Sequence, residues 1–145
     1  MTKEEMWSEY QLINHSASTY EAWKFCGGGP CVDELATLVI KGIKTATASL
    51  YAEYGDDPIP QVGDYSIILY NNDEACCIVQ TTQVTLCPFD EVSSDHAFKE
   101  GEQDRSLESW KKIHYQFFLP YFKSRNLPFD EKTIIVLEEF KVVFK

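Results

Sequence analysis

Apolar positions change their period several times along the chain, and the changes mark its elements. In "VDELATLVIKG" at 32–42, Leu35, Leu38 and Val39 recur at helical spacing, and Gly42 stands where a helix stops. The period then drops to two. Thr45, Thr47 and Ser49 alternate with Ala46, Ala48 and Leu50, which predicts a strand at 45–50 with three hydroxyls on one face. "YSIILY" and "ACCIVQTTQVTL" read as two strands joined by a hairpin turn at "NNDE", and "CPFDEV" breaks the sheet. The last strand lies in "KTIIVLEEFKVVFK", where Val136, Phe140, Val142 and Phe144 share one parity with Glu138. A charge on an otherwise apolar face marks either a sheet edge or a polar cavity.

Helices are expected at both ends of this sheet-rich centre. Thr2 with Glu5 has capping-box spacing and opens a helix to about Asn14; Ser18 with Glu21 repeats the signal and opens a second, short one through Trp23 and Phe25, stopped by "CGGGP". "SSDHAFKEGEQDR" is a polar approach to a helix from Ser106 that carries Leu107, Trp110, His114, Phe117 and Phe118, with Pro120 expected to end or kink it. Sheet segments separated by helices, with a long last strand, fit an α+β domain built on a small closed or nearly closed barrel.

The 145 residues suit one domain with a full core, and 9 Phe, 8 Tyr and 3 Trp supply large rings for it. No apolar run approaches a membrane span, and "MTKEEMWSEY" has no signal-peptide core, so the protein is expected to be cytoplasmic. A formal net charge of −10 argues against duplex DNA or RNA as a partner, although Lys111, Lys112, Lys123 and Arg125 lie on or near one helix. The five cysteines, an odd number without a signal peptide, read as reduced structural thiols. Neither they nor the three histidines are spaced as ligands, so no metal or cofactor is expected. The three glycines of "CGGGP" lack the following Lys-Ser/Thr of a phosphate loop and read as a flexible turn.

Lys44 at the mouth of the hydroxyl-bearing strand is the main candidate for chemistry. On bare spacing, a lysine near a glutamate is a solvated ion pair and alternating Thr and Ser are ordinary strand formers, so the hydroxyl face is either wet or the lining of a pocket. His96 reads as a surface histidine and His114 as a core one with a satisfied hydrogen bond. Tyr51 and Tyr54 either stack on a base or cover the barrel rim, and Arg105 is a local ion-pair partner or a phosphate contact.

"LVIKGIKTATASL", "VGD" at 62–64 and "EGEQDRSLESWKKIH" at 100–114 followed by "FF" closely resemble the ASCH-domain family, nearest to its bacterial single-domain subgroup. The resemblance runs from about Leu35 to the C-terminus. It implies a PUA-like mixed β-barrel with flanking helices, one domain over residues 1–145 in which 1–30 form an N-terminal helical extension. It also implies recognition of RNA or of a modified nucleoside. Some small bacterial members are amidohydrolases that remove acyl groups from modified cytidine, and others are linked to RNA cleavage. Carried over by position, the amidohydrolase residues fall on Lys44, Thr47 and Glu100, with Glu102 the alternative carboxylate; Thr45, Ser49, Tyr51 and Arg105 are then expected around the substrate.

The chemistry leaves Lys44 two roles. Neutral, it is a base for the Thr47 hydroxyl; charged, it polarises a carbonyl. Strand parity separates Lys44 from Thr47 unless the strand begins after Lys44. A lysine at a pocket mouth is expected to add little stability. Three functions compete: hydrolysis of an acylated cytidine, non-catalytic binding of short single-stranded RNA, and metal-independent RNA cleavage.

Overall fold

A computed structural model describes all residues 1–145. Five strands form one sheet in the order β1-β3-β4-β5-β2, curled into a half-barrel: β1 (Glu21–Trp23), β2 (Ala46–Leu50), β3 (Tyr65–Leu69), β4 (Ala75–Pro88) and β5 (Ile134–Phe144). All neighbours are antiparallel except β1 with β3. Four helices flank the sheet: α1 (Lys3–Ile13), α2 (Val32–Ile40), α3 (Ser94–Glu100) and α4 (Leu107–Lys123). The α+β class and the PUA-like half-barrel with flanking helices are as the sequence led one to expect.

Three apolar clusters tie the layers together. Met6, Trp7 and Tyr10 of α1 pack on Ile67 and Ile78, which explains why the amphipathic N-terminal segment holds its helix. Leu35, Ala36 and Val39 of α2 meet Ile68, Cys77 and Phe140. Trp110, Phe118 and Phe122 of α4 meet Leu50, Phe89 and Ile135. Full burial of side chains of this size stabilises by roughly 1.5–3 kcal/mol each.

Three sequence expectations are corrected, and at Pro120 one of two expected outcomes is removed. The second helix from Ser18 is instead the short edge strand β1. Tyr20 and Ala22 pack toward the α1 cluster while Trp23 packs toward the α2 cluster, an alternation only an extended chain allows. The polar approach contains helix α3, capped by the Ser93 side chain accepting from the His96 backbone N–H. Pro120 does not end α4, which continues to Lys123. Cys26 and Cys31 are joined in a disulfide across the glycine turn, where Cys26 and the next three glycines all have positive φ and fold the loop back on itself. Cys76, Cys77 and Cys87 are free thiols. No helix is long and apolar enough to cross a membrane.

Candidate functional site

Two backbone turns bring the site together. After α2, Gly42 adopts φ +75°, and the backbone N–H groups of Ile43 and Lys44 both donate to Leu38 O. This fixes Lys44 before the sheet begins, and β2 starts only at Ala46. At the far end of α3, Gly101 has φ +73°, and a Cβ there would lie 2.7 Å from Ile43 O. Glycine is required on both counts. That close approach seats Glu100 beside Lys44.

Lys44 is buried, with 1% of its surface exposed. Its Nζ donates to Ala46 O at 2.9 Å, Glu102 Oε2 at 2.9 Å and Glu100 O at 3.3 Å, and lies 3.5 Å from Glu100 Oε1. Three donated bonds use all three protons of an ammonium, and no donor points at the nitrogen. The geometry is therefore built for the cation and not for a neutral base. The expectation that Lys44 adds little stability is also corrected. It is the buried centre of an ion network, and removing one partner of such a network leaves uncompensated charge.

Glu100 is equally buried and is the hub of that network. Its Oε2 accepts from His96 Nε2 and from Trp110 Nε1, both at 2.6 Å; its Oε1 is 3.3 Å from His114 Nε2. The other nitrogen of His114 meets Trp110 O at 2.9 Å, and its ring stacks on Trp110 at 4.1 Å between centroids. Burial pushes the Glu100 carboxyl upward, but Lys44, His114 and His96 outweigh it and hold the group well below the ordinary carboxylate range. Glu100, Glu102 and His114 each place one ligand atom within 4.8 Å of the others. Lys44 Nζ already supplies the positive charge those carboxylates require.

This network borders a cavity of about 1040 Å³. Of the residues expected around a substrate, Lys44, Thr47, Ser49, Glu100 and Glu102 line it. No hydrogen bond joins Lys44 to Thr47. Three expected residues lie elsewhere. The Thr45 hydroxyl is turned to Lys99 O at 3.4 Å, and Tyr51 lies outside the cavity lining while Tyr54 lines it, 2.8 Å from the Ser49 hydroxyl. Arg105 stacks over the Phe98 ring at 3.5 Å and donates to Phe98 O, a brace for the α3 turn.

One histidine is corrected, and the other is in the core with a satisfied hydrogen bond, as the sequence led one to expect. His96 is buried rather than surface, and His114 is a core histidine that also lines the cavity. The available signal was the spacing of four in His96–Glu100 and Trp110–His114, which stacks each pair on one helix face. For Glu138 the two readings are now resolved: it is in a polar cavity, 8% exposed, with Oε2 accepting from Thr81 Oγ1 at 2.6 Å.

Burial raises the Glu138 carboxyl, Thr81 opposes the rise, and Asp64 and Glu21 add to it. A raised acid binds its proton more readily folded than unfolded. Its contribution is fully present below the ordinary glutamate value, about 4.3, and is lost as pH rises through the folded value. Glu138→Gln escapes that loss. Its melting temperature relative to wild type is expected to increase from about pH 4 to about pH 8, and an offset independent of pH would contradict the assignment.

A family model for the ASCH domain matches residues 21–144. The ASCH domain from Lactobacillus crispatus JV V101 superposes with a TM-score of 0.90 at 30% identity, covering 98% of this chain and 94% of that one. Protein EF3133 from Enterococcus faecalis V583 gives 0.86 at 29%, covering 97% and 92%. The hypothetical protein PH0355 shares the fold at 19% identity and a TM-score of 0.55, covering 86% and 98%. No curated protein matches the chain. With a buried Lys44 and two glutamates lining a half-barrel cavity, and a family match over most of its length, the chain belongs to the ASCH domain family.

Proposed function

We propose that the cavity binds a modified nucleoside and that the protein hydrolyses the amide of an acylated cytidine. The observation that carries this reading is the Lys44 ammonium held against Glu102 at the edge of a cavity that Thr47 also lines. ASCH membership fits recognition of RNA or of nucleosides.

The chemistry follows from the geometry. Thr47 positions a water for attack on the amide carbonyl carbon. Glu102, the more exposed of the two carboxylates, accepts a proton from that water. The carbonyl oxygen becomes an oxyanion, and Lys44 turns toward it by releasing its longest bond, the one to Glu100 O at 3.3 Å. The same proton then passes to the leaving nitrogen as the C–N bond breaks, giving cytidine and the free acid. Glu100, engaged by three side chains besides Lys44, holds the lysine in place and takes no proton.

Thr47→Val tests this directly, because it keeps the shape of a strand residue and removes one polar contact. Turnover of N-acetylcytidine is expected to fall by about a hundredfold with an unchanged circular dichroism spectrum. Undiminished turnover would remove Thr47 from the mechanism.

A further inference from the structure

Glu138 has no part in that scheme, yet it is the cavity group best placed to read a ligand. It sits opposite Thr47 in the antiparallel register of β2 and β5, so both side chains rise from the same face with Cβ atoms about 4.5–5.5 Å apart. Its Oε2 is occupied by Thr81, but its Oε1 has no partner in the protein. The side chain is more than nine-tenths buried, yet Oε1 is not among the enclosed unpartnered atoms: it opens onto the cavity and offers an acceptor to whatever enters. The Ser49–Tyr54 hydroxyl pair on the same wall extends the polar surface.

The charge around the cavity restricts what that ligand is. Glu21, Glu53, Asp64, Glu100, Glu102 and Glu138 line it against two lysines. Both lysines are committed: Lys44 to the two glutamates, and Lys24 to Asp73 at 2.8 Å and Asn71 O at 2.9 Å. In the glycine turn, the N–H groups of Gly28 and Gly29 are already bonded, to Phe25 O and Asn71 Oδ1. A phosphate entering here meets six carboxylates, and each of the two lysines is already paired with a carboxylate.

We infer that Glu138 accepts an N–H or O–H donor of the ligand through Oε1, and that the cavity takes a nucleoside without a phosphate. The inference rests on the reading of the cavity as a nucleoside site. It separates the ligand from nucleotides and from an RNA chain threaded through the cavity. The donor is a ribose hydroxyl or an exocyclic amine, which share the required chemistry.

Isothermal titration of wild type, Glu138→Gln and Glu138→Ala with cytidine, 2′,3′-dideoxycytidine and cytidine 5′-monophosphate tests it, beside hydrolysis of N-acetylcytidine. Glutamine keeps the size but replaces the charged acceptor by a neutral, weaker one; alanine removes the acceptor altogether. Wild type is expected to bind cytidine, with affinity at least about tenfold lower in both variants and at least about tenfold lower for the monophosphate. If the donor is the ribose 2′- or 3′-hydroxyl, the dideoxy compound binds weakly and no longer responds to Glu138→Gln. If it is the amine or the 5′-hydroxyl, the dideoxy compound behaves as cytidine does. Cytidine binding unchanged by both variants, or a monophosphate bound as tightly as the nucleoside, overturns the inference. Hydrolysis without Glu138-dependent binding overturns it and leaves the proposed function standing. Glu138-dependent binding without hydrolysis does the reverse, and the absence of both overturns both.

Discussion

Lys44→Ala is expected to lose both activity and stability. Removing a charged group that faces the developing oxyanion costs on the order of a hundred- to a thousandfold in rate, roughly 3–4 kcal/mol. The stability effect has a separate cause. With the ammonium gone, Glu100 and Glu102 lose their cation, and Glu100 is left charged at 1% exposure between groups that cannot leave. Breaking a buried pair in this way costs about 3–5 kcal/mol. For a chain of this size that corresponds to a melting temperature lower by on the order of 10 °C. Lys44→Arg is expected to fail as well, because the planar guanidinium needs room the enclosed ammonium site does not have. Denaturant titration beside steady-state hydrolysis measures both effects. A Lys44→Ala protein as stable as wild type would show that the network is not what holds this corner of the fold.

Glu100→Ala is expected to be the most destabilising single change in the site. One carboxylate satisfies the Trp110 indole N–H, His96 Nε2 and, more loosely, His114 Nε2 and Lys44. Its removal strands buried donors on α3, α4 and the β2 approach together, and each unsatisfied group costs about 1–3 kcal/mol. The protein is expected to unfold at markedly lower denaturant. The same residue gives an acid signature. Its carboxyl is depressed in the folded state, so its contribution is present above the ordinary glutamate value, about 4.3, and is lost as pH falls through the lower folded value. Glu100→Gln, close in size but unable to titrate, is expected to flatten the fall of stability with pH in that acid range. A slope identical to wild type would assign the acid sensitivity to other carboxylates.

The parts of this molecule visible in the sequence are those with a strong period or a long apolar run. The β4 and β5 strands, α2 with its glycine stop, and α4 all announce themselves in this way. Glu138 was visible as an anomaly, because a charge broke the parity of four apolar neighbours; only the register with Thr47 and the bond from Thr81 resolved it into a cavity. Helix α3 was hidden for a physical reason. Its inward face carries His96, Ala97 and Glu100; Glu100 is buried against Lys44, Trp110 and His114 of other elements, and His96 against Glu100 itself. A polar residue that is buried by pairing looks like a solvated one until its partners are placed. Strand β1 was hidden by brevity and by a serine–glutamate spacing that imitates a helix cap. Lys44, Thr47, Ser49, Glu100 and Glu102 line the cavity, whereas Thr45, Tyr51 and Arg105 lie outside its lining. Thr45 precedes β2 and bonds to Lys99, Tyr51 follows the last residue of β2, and Arg105 is held by Phe98.

The account stands most directly on one measurement: release of free acid from a panel of N-acylated cytidines by the wild-type protein, with binding of a short single-stranded RNA followed in parallel across salt concentrations. Steady-state hydrolysis of at least one acylcytidine is expected, with RNA binding too weak to follow at physiological salt, since the cavity carries an excess of carboxylates. No hydrolysis of any member of the panel, together with RNA binding that falls steeply with added salt, would contradict it.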